Sequence, residues 1–157
     1  MHATPNYHYC LLGAIGWDHP EWNSTFYPDD LPPEWRFNYY SNAFECVYLP
    51  YATCRATAAE TLSGWCQDTL AHFQFLLEPP PLATDDDTAR IAALGEKAVL
   101  TQRPGLSLVW LDPNANLKQL AQTLQALEAA APIYLISTTG DMAQLEQART
   151  LIEVLGY

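Results

Sequence analysis

Positive charge is scarce in this sequence. Seven Lys and Arg stand against 18 Asp and Glu in 157 residues, a formal net charge of -11. A field of that sign repels phosphate backbones and anionic lipid, so neither nucleic acid nor a membrane surface is an expected partner. No run of about 18 apolar residues occurs, which argues against a spanning helix. The amino-terminal MHATPNYHYC has no basic region and no long apolar stretch, so no secretory signal is read there. The four cysteines, Cys10, Cys46, Cys54 and Cys66, form no C-x-x-C pair, and Cys10 and Cys46 lie in apolar runs. Free thiols in a reducing cytoplasm are the expectation. His2, His8, His19 and His72 share no ligand spacing with the cysteines, so no metal site is predicted. Gly13-x-x-Gly16 is too short for a dinucleotide fingerprint, and no G-x-S-x-G marks a nucleophile. No cofactor is implied.

Hydrophobic residues, by contrast, make up 49% of the chain, enough for a packed core. The length suits one domain spanning residues 1–157. Five nearly continuous apolar runs read as buried strands: Tyr9–Ile15, Cys46–Leu49, Phe73–Leu77, Leu106–Leu111 and Ile133–Ser137. Glu78-Pro79-Pro80-Pro81 should stop the third, because proline cannot extend a central ladder. Leu117, Leu120, Ala121, Leu124 and Leu127 make one apolar helix face, with Asn116 placed to cap it. Met142, Leu145, Ala148, Ile152 and Leu155 make another behind Asp141. A further helix is predicted over Ala89–Leu100, with Asp85-Asp86-Asp87 at the positive end of its dipole. Alternating strands and helices imply βαβ units and a parallel sheet of about five strands.

Aromatic residues crowd the front of the chain, most of them at or before Tyr51. Gly13-Ala14-Ile15-Gly16-Trp17, His19-Pro20-Glu21-Trp22, Phe26-Tyr27-Pro28, Leu31-Pro32 and Tyr39-Tyr40 together resemble the opening of the YecE-like family (domain of unknown function 72). The similarity continues through Phe44, Val47, Arg55, Thr61 and Trp65, then Phe73-x-Phe75, Val109-Trp110-Leu111-Asp112-Pro113 and 133–139. It implies a partial TIM-barrel arrangement, with a flavodoxin-like open sheet as the alternative. The departures fall on polar strand ends. The family's acid on the second strand corresponds to Tyr48, its asparagine to Pro50, and its T-F-Y to Ala52-Thr53-Cys54. Its third-strand lysine corresponds to Glu78, and its polar pair in G-T-S-G-W to Ala14-Ile15. Its fifth-strand acid, Arg and His have no counterpart in Tyr134–Thr138. The resemblance therefore implies a retained scaffold whose strand-end chemistry has been replaced.

Sites in parallel α/β folds form at the carboxyl ends of strands. Asp18, His19, Glu78 and Asp112 occupy those positions and could act as acid and base or hold a hard cation in a metal-assisted site. Each also has a local reading: a turn before proline for Asp112, a solvated strand exit for Glu78, a tight loop around Pro20 for Asp18 and His19. Trp17, Trp22, Tyr27 and Tyr48 could line a small-molecule pocket, although such a cluster is more often core beneath a long loop. Two functions follow from these readings. One is a non-catalytic binding or interaction protein; the other is a small-molecule enzyme using the four acid–base residues. Five units cannot close an eightfold barrel, so Ile133–Ser137 would present an apolar edge. A homodimer is the expected way to shield it.

Overall fold

The computed structural model describes residues 10–127 and 132–156. Tyr9, at the expected start of the first strand, lies outside them, as do His2 and His8. In chain order the elements are β1 (Cys10–Ala14), α1 (Arg36–Ala43), β2 (Cys46–Leu49), α2 (Tyr51–Arg55), α3 (Ala59–Asp68) and β3 (Gln74–Leu77). They continue with α4 (Asp85–Leu94), β4 (Ala98–Leu100), β5 (Ser107–Leu111), α5 (Leu117–Ala126), β6 (Ile133–Ser137) and α6 (Met142–Leu155). Local chemistry sets several of these boundaries. Thr84 and Asp87 form a reciprocal capping box at the start of α4. Asn116 caps α5 through Lys118 and Gln119, and Asp141 caps α6 through Gln144.

Every strand pairing is parallel. Two three-stranded sheets, ordered β1-β6-β5 and β2-β3-β4, meet where β1 lies beside β2. There Gly16 N–H donates to Tyr48 O at 3.0 Å and Glu45 N–H to Leu12 O at 3.3 Å, with a bridge between Ile15 and Tyr48. The seam is tight: a Cβ on Gly13 would lie 2.2 Å from the Cys46 carbonyl oxygen, so only glycine fits. The continuous order is thus β4-β3-β2-β1-β6-β5. All carboxyl ends point the same way, and Trp17, Glu78 and Asp112 leave the sheet at one end, as expected.

Three expectations are corrected. The described residues form six strands, not about five, because the helix expected over Ala89–Leu100 ends at Leu94 and its last residues form β4 against β3. The Asp85–Asp87 run lies within the first turn of α4 instead of ahead of the helix. Ile133–Ser137 is no edge: it lies between β1 and β5 and is buried at every residue. The case for a homodimer built on that edge falls with it.

Side chains alternate between two faces. Leu12, Val47, Leu49, Phe75, Leu77, Leu111, Ile133 and Leu135 meet the helices in the larger core. Cys46, Tyr48, Leu76, Val99, Tyr134 and Ile136 form a second cluster with Leu11, Ile15, Leu106 and Leu108, and no helix contributes to it. This inner face is covered because the sheet curls. Cα atoms of β2 and β6 approach within 8 Å across β1, whereas flat strands two places apart would be about 9.5 Å apart. Tyr134 on β6 also donates its hydroxyl to Gln74 Oε1 on β3. A flavodoxin-like sheet carries helices on both faces; here only the convex face has them, as in a partial barrel.

Candidate functional site

The loop after β1 supplies most of the aromatic group. Trp22 is fully buried, with Phe26, Tyr27, Tyr40 and Phe44 around it at ring separations of 5.3 to 6.4 Å. Tyr27 is buried too, and its hydroxyl donates to Trp17 O at 2.7 Å. Burial, then the negative charge of Asp18, pushes the Tyr27 phenol well up. The Trp17 ring turns away and packs on Phe37 and Trp65 at 4.4 and 4.8 Å. Trp22 and Tyr27 thus belong to the core between loop and sheet. Tyr48 points instead to the inner face.

Asp18, His19 and Glu78 have side chains held by different neighbours, and Asp112 is engaged through its backbone. The Asp18 carboxylate is exposed and lies 3.8 Å from Arg36. His19 Nε2 donates to Ile15 O at 2.8 Å, which places the ring proton on that nitrogen. Its Nδ1 faces the backbone of Gly140, where an added Cβ would lie 2.6 Å away. Glu78 accepts from the Tyr48 hydroxyl at 2.9 Å and from Tyr51 N–H at 3.3 Å. Asp112 contributes its carbonyl oxygen, accepting from Gln144 Nε2 at 2.6 Å and from Ala115 N–H at 2.9 Å. Among the described residues, no hydrogen bond or ion pair joins any two of the four.

Tyr48, Glu78 and Trp110 do come together. The Tyr48 and Trp110 rings meet edge-on at 5.1 Å, from β2 and β5, across the curl of the sheet. Burial first, and then the bond to Glu78, pushes the Tyr48 phenol up to about 12. Trp110 is 39% exposed, so Tyr48 lies between an accessible indole and an exposed carboxylate. The sequence marked Tyr48 and Glu78 separately, but not Trp110 or Tyr51 as site residues. The alternation in Ser107–Leu111 places Trp110 on the inner face, and only the curl brings it to Tyr48.

At the opposite, amino end of the strands lies a cleft of about 650 Å³, lined by Cys10, Leu11, Gln74, Pro132, Arg149 and Ile152 among others. Its Cys10 thiol is pushed up to about 12, by burial first and by Glu45 second. Such a thiol is protonated and unreactive at neutral pH. Arg149 is occupied by Glu45 and the Ala43 carbonyl oxygen. No group of three or more His, Cys, Asp or Glu placed to hold a metal ion occurs among the described residues. Nor is any described helix long and apolar enough to cross a membrane.

A family model described as "Protein of unknown function DUF72" matches residues 11–135. The chain belongs to the DUF72 family. The YecE-like family is the same family. A solved structure of a DUF72 family protein from Thermotoga maritima is similar with a TM-score of 0.64 and 12% identity, over 93% of this chain and 100% of that one. At that identity the likeness shows the fold. No curated protein matches.

Proposed function

We propose that this DUF72 chain is a non-catalytic binding protein whose mouth, formed by Tyr48, Glu78 and Trp110, takes a small cationic ligand. The observation that carries the reading is the dispersal of Asp18, His19, Glu78 and Asp112 onto separate local partners. A proton relay needs a base within hydrogen-bond reach of its acid or substrate, and His19 has one nitrogen bonded and the other against Gly140. What the mouth offers instead is a carboxylate oriented by two donors and an exposed indole, both in contact with Tyr48. That pairing suits an ammonium or guanidinium group, which binds carboxylate and aromatic face together. The net charge of -11 favours the approach of cations.

Isothermal titration with choline, arginine and spermidine, with acetate as the anionic control, tests the proposal. A cation should bind, and Glu78→Gln and Trp110→Ala should each weaken it about tenfold or more. Binding unaffected by both substitutions would overturn the assignment of the mouth. Turnover of any substrate abolished by His19→Gln would overturn the non-catalytic reading.

A further inference from the structure

The sheet has two edges, and they are not alike. β4 has three residues, and shortness is itself a protection. β5 has five, Ser107–Leu111, with no charge, proline or glycine among them, and among the described residues it pairs only with β6. Leu111 O accepts from Thr138 N–H at 3.2 Å, so the backbone of Leu111 faces β6. By alternation along a parallel strand, Val109 and Ser107 face the same way, while the N–H and C=O of Leu108 and Trp110 face outward. Among the described residues those outward groups have no sheet partner. Exposed apolar surface stands among them at Trp110, which is 39% exposed.

Charge shows what such an edge would receive. Arg36, Arg55, Arg90 and Arg149 are in ion pairs. Lys97 donates to the Cys66 and Thr69 carbonyl oxygens and to the Thr69 hydroxyl. Three of the seven basic residues have no ion pair among the described residues, Lys97, Arg103 and Lys118, and the last two bracket β5. Arg103 stands in the turn leading into it, whereas Asp112 stands at its exit. An antiparallel two-fold pairing would bring the Arg103 end of one strand to the Asp112 end of the other, twice.

We infer that β5 pairs antiparallel with β5 of a second copy of this chain, joining two curled sheets across a two-fold axis. The contact is isologous, the commonest symmetry of soluble oligomers. It needs on the order of 1,200 Å² in total to be stable, which the strand pair, Trp110 and the Arg103–Asp112 ends would have to supply. The inference shares Trp110 with the ligand mouth but rests on the outward backbone of β5, and Glu78 takes no part in it.

Light scattering of the full chain across a dilution series tests it. A mass of twice 17.6 kDa is expected at high concentration, falling toward 17.6 kDa on dilution. Arg103→Glu should raise the dissociation constant about tenfold, and adding Asp112→Arg to it should restore association by reversing both partners. Leu108→Pro, which removes an outward N–H where an edge tolerates proline, should leave a folded monomer. Monomer at every concentration overturns the inference. So does a dimer that Arg103→Glu, the charge-swapped double variant and Leu108→Pro all leave unchanged, or a monomer that binds an extended acidic peptide along β5. Glu78→Gln should leave the mass unaltered, so failure of the ligand mouth would not pass for failure of the dimer.

Discussion

Trp22 Nε1 donates to the Gly140 carbonyl oxygen at 2.6 Å, tying the loop after β1 to the turn between β6 and α6. The two residues lie 118 positions apart, yet both stand at the carboxyl end of neighbouring strands. The His19 ring packs on Trp22 at 4.3 Å and covers Gly140 from the same side. The long aromatic loop is therefore a closing element of the core.

Trp22→Ala should cost about 3–5 kcal/mol, the range for a large buried aromatic. Chemical denaturation is the measure. A smaller loss would mean that the loop packs independently of the turn it touches.

Glycines separate close approach from mere flexibility. Gly13→Ala would drive a Cβ to 2.2 Å from backbone oxygen, which no rotamer change can relieve, so this variant should lose several kcal/mol or fail to fold. Gly64 sits within α3 with nothing within 4 Å of an added Cβ. Gly64→Ala should raise stability by about 0.5–1 kcal/mol. Paired thermal melts read both signs.

Asp87 gathers the acid dependence. Arg55 binds its carboxylate at 2.7 Å, the Thr84 backbone N–H donates to it at 3.0 Å, and Arg90 lies 3.4 Å away. The Arg55 hydrogen bond foremost, then Thr84, holds the carboxyl well below its usual range. A depressed carboxyl adds stability above its unfolded pKa of about 4, and that stability is lost as pH falls further. Asp87→Asn should lower the melting temperature at pH 7, and the gap from wild type should narrow below about pH 4. A gap constant with pH would assign the loss to the cap geometry alone.

Much of this fold was legible because its strands are apolar at nearly every position and its helices show their caps. Asn116 and Asp141 sit where their hydrogen bonds were expected. What escaped was set by distant contacts. Ala98-Val99-Leu100 follows a run of good helix formers, and only the register of Leu76 against Val99 makes it a strand. Likewise nothing within Ile133–Ser137 tells that β1 will pair with it; that choice rests on the curl of the whole sheet. The candidate site divides the same way. Tyr48 and Glu78 were readable as strand ends, but Trp110 joins them from β5 only in three dimensions.

The Tyr48 phenol offers a spectroscopic handle on that mouth. It is raised to about 12, by burial first and by the Glu78 bond second. For a group whose folded pKa lies above its unfolded value near 10, the stabilisation is complete below about pH 10 and disappears as pH climbs toward 12. Glu78→Gln removes the negative acceptor but keeps the burial. The phenol should then ionise at lower pH than in wild type, though still above 10. Ultraviolet absorbance followed through alkaline titration measures this, with Tyr48→Phe identifying which phenolate signal belongs to the mouth. The alkaline loss of stability should move down with the phenol in Glu78→Gln and shrink in Tyr48→Phe. If Glu78→Gln left the Tyr48 ionisation where it was, the 2.9 Å hydrogen bond would not be formed in solution. The carboxylate would then lack one of the two donors that orient it toward a ligand.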